Sequence, residues 1–417
     1  MIKKILISFC LFFSAISWAQ EGTSSPYSFY GIGDVKFKGA VENRSMGGVS
    51  VFSDSIHVNL QNPASFSHLK FTTFTIGANY NNVKLKTETQ SENATRTTID
   101  YLVVAMPISK KFGAALGLLP FSSVGYKIEN ANEDTSQTSS RYFGEGGVNR
   151  FFGGLGYKIT DNLSIGADIN YNFGSISTNS IDFIPIVQYG TRELNSSRVN
   201  GVNFNFGMMY NRKITEKMTL FGSMAYSPES SLNIDNERNI TTVLVAENFN
   251  FVPQEEGITQ TSTSKLKLPS KFVFGVGIGE VRKWMIGTEF TMQQSSNFGN
   301  RFNDIDNVDY ENSTKFSLGG YYIPNYNSFN KYLERVTYRA GFNYENTGLI
   351  INNESINNYG ITFGLGLPLG GSFSNINVGF EFGKRGTTNA GLIEENYSNV
   401  HISLSLNDRW FVKRKYE

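Results

Sequence analysis

The stretch NLSIGADINYNFG alternates without a slip. Leu163, Ile165, Ala167, Ile169, Tyr171 and Phe173 are apolar, and Ser164, Gly166, Asp168, Asn170 and Asn172 between them are small or polar. Successive side chains of a β-strand point to opposite faces, so this is a strand with one apolar and one wet side. GVNFNFGMMY repeats the pattern, with Val202, Phe204, Phe206, Met208 and Tyr210 opposite Asn203, Asn205 and Gly207. INVGFEF sets Ile376, Val378, Phe380 and Phe382 against Asn377, Gly379 and Glu381, and ITFGLGL and HISLSL do likewise. A chain of such segments must hide an apolar face on nearly every strand, against a second sheet or in lipid.

The connections decide between these. Strands are expected near 71–87, 94–107, 112–128, 148–159, 162–175, 199–212, 217–227, 269–279, 283–293, 313–323, 333–345, 357–367, 375–384 and 398–406. The links at 108–111, 160–161, 213–216, 280–282 and 368–374 are short. Those at 129–147, 176–198, 228–268, 294–312, 346–356 and 385–397 are mostly long and polar. Short turns alternating with long loops mark an outer-membrane barrel whose turns face the periplasm, and an even count of about 14 strands suits a single-chain barrel. The fold class is therefore all-β: a transmembrane antiparallel β-barrel, closed because hydrocarbon leaves no partner for a free backbone group. Composition agrees, with 34 Phe, 21 Tyr and 41 Gly in 417 residues but only 10 Pro. Trp284, Trp410, Tyr157, Tyr210 and Tyr344 fall near expected strand ends and suit interfacial girdles.

The N-terminus, MIKKILISFCLFFSAISWAQ, reads as a secretory signal over residues 1–19, cleaved near Gln20. Lys3 and Lys4 precede an apolar run from Ile5 to Ile16, and small Ser17 and Ala19 follow. Its removal takes away Cys10, the only cysteine, and two lysines, so the formal charge moves from +1 to −1. A near-neutral chain gives no electrostatic case for nucleic acid. The expected address is the outer membrane, with its lipid as the surrounding partner.

A barrel of this width is not filled by its own side chains. Residues 20–70 lack sustained alternation and are the natural hatch, leaving 71–417 as the barrel. Within that segment, SMGGVSVFSDSIHVNLQNPASFSHL resembles the N-terminal hatch of the FadL/TodX family of outer-membrane transporters, and Asn62, Pro63 and Ala64 match the family's Asn-Pro-Ala motif just before the first strand. KLPSKFVFGVG resembles its Leu-Pro entry into a mid-chain strand. The resemblance implies passage of hydrophobic small molecules, long-chain fatty acids or hydrocarbons, with a sideways exit through a gap at a kinked third strand. Asn62 would then bond the hatch to the wall, Pro63 fix its turn and Ala64 allow close packing. The third strand here is GAALGLLPFSSVGYKI, and Pro120 within it cannot donate to a ladder. Gly113, Gly117 and Gly125 leave little side chain on its inward face. A lateral gap and a simple bulge near the outer end are both consistent with this strand.

Other chemistry finds little support. No Gly-x-Ser-x-Gly elbow accompanies His57, His68 or His401, so no catalytic residue is assigned and no enzyme is expected. NDIDNVDYE, 303–311, offers carboxylates but lacks the spacing of a calcium loop, so no metal or cofactor is expected. The basic close, NDRWFVKRKYE, is either a solubilising end at the periplasmic rim or a contact for a periplasmic partner, and it lacks a terminal aromatic. Relatives of the family in Bacteroidota, whose Asn-, Tyr- and Lys-rich style this chain shares, serve as subunits of outer-membrane machines. The many polar inward positions keep that alternative open: a non-transporting barrel in a secretion or assembly complex.

Overall fold

Alternation becomes wall. The computed structural model describes residues 22–409, apart from 133, 246–250, 300–306 and 371–372. The wall comprises β1 Thr72–Lys86, β2 Ser91–Pro107, β3 Phe112–Asn130, β4 Ser139–Lys158, β5 Leu163–Phe183 and β6 Tyr189–Lys213. Next come β7, Met218–Ser227 continued by Ser230–Val245, and β8, Ile258–Leu268 continued by Lys271–Glu280. The circuit ends with β9 Trp284–Gln293, β10 Ser313–Tyr322, β11 Thr337–Ile351, β12 Glu354–Pro368, β13 Asn375–Arg385 and β14 Glu394–Asp408. Each strand pairs antiparallel with its neighbour in sequence. β14 then pairs with β1 from Glu394 opposite Lys86 to Asp408 opposite Thr72, which closes a 14-stranded barrel.

The two faces of each strand have the expected chemistry. Along β5, Ile165, Ile169, Tyr171 and Phe173 are exposed to the outside, whereas Ser164, Asp168, Asn170 and Asn172 are buried inside. Inward neighbours across the ladder satisfy one another: Asn205 Nδ2 donates to Asp168 Oδ2 at 3.0 Å, and Asn172 Nδ2 to Asn203 Oδ1 at 2.8 Å. Cross-strand pairing of this kind lets a polar wall stand without water.

Several expected loops are strand. β4 begins at Ser139 rather than 148, β5 runs to Phe183 rather than 175, and β6 starts at Tyr189 rather than 199. Most of 228–268 is β7 and β8 continuing upward, with Ile258 to Leu268 paired against Ile240 to Ser230. Above the lipid both faces meet water or hatch, so the apolar face vanishes from the sequence while the ladder goes on. The expected loop at 346–356 shrinks to Asn352–Asn353, whose φ values of 50° and 63° suit the left-handed geometry of a two-residue hairpin. Tyr344 consequently sits within β11 rather than at its end. Trp410 lies outside the described residues. The break in β7 at Pro228–Glu229 faces the break in β8 at Pro269–Ser270, since Ser227 pairs with Lys271 and Ser230 with Leu268. The Leu-Pro motif thus marks a level where both strands leave the ladder together.

An arginine at an outward midplane position costs about 2–4 kcal/mol, falling to about 0–1 beyond the interface. Ile169→Arg should therefore destabilise the barrel by about the larger amount, and Ser196→Arg, exposed on the outward face of β6 in its upper extension, by the smaller. Urea unfolding from lipid vesicles reads both, and equal costs would contradict the height assigned to the tower of extended strands.

Candidate functional site

The site has three parts: a hatch, an interruption in the wall, and the cavity between them. Hatch residues reach much of the circuit. Val41 N donates to Tyr101 Oη on β2 at 3.1 Å, Ser50 N and Oγ to Glu289 Oε2 on β9 at 2.9 and 2.7 Å, and Gly47 N to Thr362 Oγ1 on β12 at 2.9 Å. Asn377 Nδ2 on β13 donates to Glu42 Oε1 at 2.8 Å. Ion pairs add Lys38 to Asp168 at 3.2 Å and Asp34 to Arg385 at 2.8 Å. The Arg385 and Lys36 cations overcome burial and hold the Asp34 carboxyl well below its usual range.

The three motif residues lie together at the wall. Asn62 Nδ2 donates to the carbonyls of Met208 on β6 and Met224 on β7, both at 3.1 Å, and its Oδ1 accepts from Ala64 N at 3.1 Å. Pro63 opens the 3₁₀ turn Pro63–His68, where its fixed φ fits and no donor is missed. Ala64 is fully buried. Two wall glycines make room: a Cβ on Gly207 would fall on Asn62 Oδ1, and one on Gly166 would meet the Pro63 and Ala64 backbone. Nearby, burial and Lys158 push the His68 imidazole down to about 4, so it is neutral at pH 7, and its Nε2 lies 3.4 Å from Ser164 Oγ.

The wall lapses between β2 and β3. They pair only from Pro107 opposite Gly113 to Leu102 opposite Leu118. Above that level β2 and β3 no longer pair with each other: β2 continues against β1, and β3 against β4. Each strand carries a one-residue bulge where the pairing ends. Asp100 has no partner between Tyr101–Gly77 and Ile99–Ala78, and Phe121 has none between Pro120–Asn149 and Ser122–Val148. A bulge bends its strand and sharpens its twist, so two on facing strands drive the edges apart. Hatch residues occupy the freed edge of β3: Asp34–Val35 pair with Ser123–Ser122, Lys36 N donates to Phe121 O at 2.9 Å, and Ser122 Oγ to Ile32 O at 2.7 Å. Across the lapse, Asp100 turns inward to Arg44 of the hatch at 3.9 Å and His401 of β14 at 3.8 Å. His401 also faces Glu381 at 3.4 Å.

The expected gap residues are distributed around this lapse. Gly113 and Gly117 face inward, where a Cβ would meet Phe66 O and Val103 with Phe152 respectively. Gly125 does not share their face, because the bulge at Phe121 shifts the phase of β3 by one residue. It packs instead against the Thr23 backbone. Pro120 stands directly below the bulge, paired with Asn149. The bulge residues Asp100 and Phe121 and the hatch strand at Val35 were not anticipated. The readable signal was the flip in apolar parity, from inward Leu119 to inward Val124 on β3, and from outward Leu102 back to Ile99 on β2.

A cavity of ≈ 1730 Å³ lies behind the lapse. Its lining joins inward groups (Asn170, Asn203, Arg150, Lys271) with the outward-facing apolar residues Phe74, Leu102 and Leu118. One void therefore borders both the lumen and the lipid face. Arg150 stacks over Phe121 at 4.0 Å and donates to Asn172 Oδ1 at 2.8 Å, at the junction of the two. No group of three or more metal-ligating side chains occurs among the described residues. Of the acidic run 303–311, Asp304 and Asp306 lie outside them, and Glu311 Oε1 accepts from Asn346 and Ser355, each at 2.8 Å.

These features define an outer-membrane-type barrel of the FadL fold, with an interruption between β2 and β3. It is similar in structure to the Ralstonia pickettii toluene transporter TbuX, with a TM-score of 0.60 and 14% identity over 89% of this chain and 99% of that one. For the Pseudomonas putida toluene transporter TodX the values are 0.58, 16%, 90% and 98%. For a Pseudomonas aeruginosa FadL homologue they are 0.59, 12%, 90% and 98%. No curated protein matches the sequence. The chain belongs to the BamG family, whose model matches residues 1–417.

Hatch anchoring is testable at one glycine. Gly207→Leu should expel the Asn62 amide while leaving a barrel, because the ladder of β6 is untouched. Hydrogen exchange over 59–67 should accelerate, whereas exchange along β11–β13 should not; protection unchanged at 59–67 would contradict the anchor.

Proposed function

We propose that this barrel conducts hydrophobic small molecules, fatty acids or hydrocarbons, from the lumen sideways into the membrane through the lapse between β2 and β3, beside Pro120. The observation that carries this reading is the void bordered by Asn170 and Arg150 on one side and by Leu102, Leu118 and Phe74 on the other. An apolar solute gains on entering lipid, and the route through the wall spares it the hydrogen-bonded hatch. The structural relatives described as toluene transporters support the same substrate class. The strand Asp34–Val35 is the gate in this scheme. It covers a backbone edge that hydrocarbon could not, and it is held by side chains that can re-pair. Asn62, Pro63 and Ala64 serve as the fixed end of the hatch about which that strand moves.

The BamG family match and the polar inner wall suggest a second reading: an accessory subunit of an outer-membrane secretion or assembly complex. One pair of measurements separates the two. Deletion of Phe121 removes the bulge, and cells carrying that variant should take up labelled toluene or long-chain fatty acid at the rate of cells lacking the protein. If the wild-type chain adds nothing to uptake, and gentle-detergent purification always brings a second barrel with it, the transport reading fails and the subunit reading stands.

A further inference from the structure

Among the described residues, the longest link at the periplasmic end joins β10 to β11, residues 323–336, where the neighbouring turns are short. It displays large apolar groups to solvent: Phe329 is 95% exposed, Leu333 70% and Tyr332 43%. The link is nonetheless ordered by its own bonds. Asn325 N donates to Glu334 O at 2.8 Å, Lys331 pairs with Glu334 at 3.0 Å, and Ile323 N donates to Lys283 O of the adjacent turn at 2.7 Å. The Arg282 guanidinium lies over the Tyr326 ring at 4.8 Å.

Its direction is fixed by one further bond. Tyr338 Oη donates to Leu333 O at 3.2 Å. Tyr338 is an outward side chain of β11, opposite the outward Tyr322 of β10. The link therefore leans over the lower end of the lipid-facing belt, not across the mouth of the lumen. The surrounding charge is favourable to phosphate: Arg282, Lys283, Lys331 and Arg335 against Glu280 and Glu334, a net of +2. Aromatic and aliphatic groups flanked by long cationic side chains, continuous with a girdle, have the chemistry of a membrane interface.

We propose that residues 323–336 form an interfacial foot, which sets Phe329 and Leu333 into the periplasmic leaflet while Lys331 and Arg335 meet the phosphates of anionic phospholipids. The foot holds the barrel's height and tilt beside β10 and β11. It requires only that the barrel spans a membrane, and is independent of what passes through it.

The test uses the full chain carrying Cys10→Ser and Phe329→Cys, labelled with an environment-sensitive fluorophore in nanodiscs of phosphatidylethanolamine and phosphatidylglycerol. A Leu333→Cys chain provides a second position, and heat-dependent gel mobility verifies folding of each. The expected result is blue-shifted emission, quenching by lipids with a nitroxide near the headgroup, and protection from aqueous iodide, relative to an Ile186→Cys control at the outer tip. Lys331→Glu with Arg335→Glu should reduce the lipid quenching in these nanodiscs but not in pure phosphatidylcholine. Equal iodide quenching at 329, 333 and 186 overturns the proposal. So does shielding that appears in native membranes but not in nanodiscs, because a protein would then cover the link.

Discussion

A backbone amide in hydrocarbon must find its partner within the protein. The rest of this structure depends on that requirement. It closes β14 onto β1, and it makes the lapse between β2 and β3 a problem for the fold to solve. The hatch solves part of it by lending backbone: Lys36 N bonds to Phe121 O, and Asp34–Val35 pair with Ser122–Ser123. The N-terminal segment thus supplies a surrogate rung at the open edge of β3. Its hold on the wall is electrostatic as well as hydrogen-bonded, with Asp34 held by Arg385 from the opposite flank of the seam.

The polar inner wall follows from the same economy. Asp168, Asn170, Asn172, Asn203 and Asn205 stand side by side across β5 and β6, and Arg150 and Lys38 cap the cluster. Asn172 and Asn205 bond across to the neighbouring strand, and Asn170 to Asp168 on its own. Apolar groups line the lapse, as Leu102 and Leu118 do, and also line other parts of the interior, such as Leu232 and Ile234.

The sequence made the barrel legible because lipid imposes a period of two, and any strand crossing it must show that period. Fourteen strands and the short turns were readable on this basis, as was the position of Asn62, Pro63 and Ala64 just ahead of the first strand. The upper halves of β4 to β8 were not readable, since their outward faces are polar and their apolar residues, such as Leu232 and Ile234, face inward in short runs. Nor was the hairpin at Asn352–Asn353 recognised, although two adjacent asparagines are suited to positive φ. At the site, Pro120 drew notice because a missing donor is visible in a sequence. Asp100 and Phe121 carry the actual bulges, and a bulge leaves only a slip of phase, easily absorbed into an uncertain strand boundary.

The contacts of the hatch also constrain the order in which the molecule is built. Ser25 bonds to Glu395, Tyr27 Oη donates to Ile393 O at 2.6 Å, and Asp34 meets Arg385, so the earliest segment of the chain rests on the latest strands. The seam between β1 and β14 adjoins those contacts. An open sheet can wrap around the hatch, whereas a finished cylinder would have to thread some fifty residues past an interior already occupied by side chains. The contacts thus couple the seating of residues 25–34 to closure of the β14–β1 seam, since both engage the last strands.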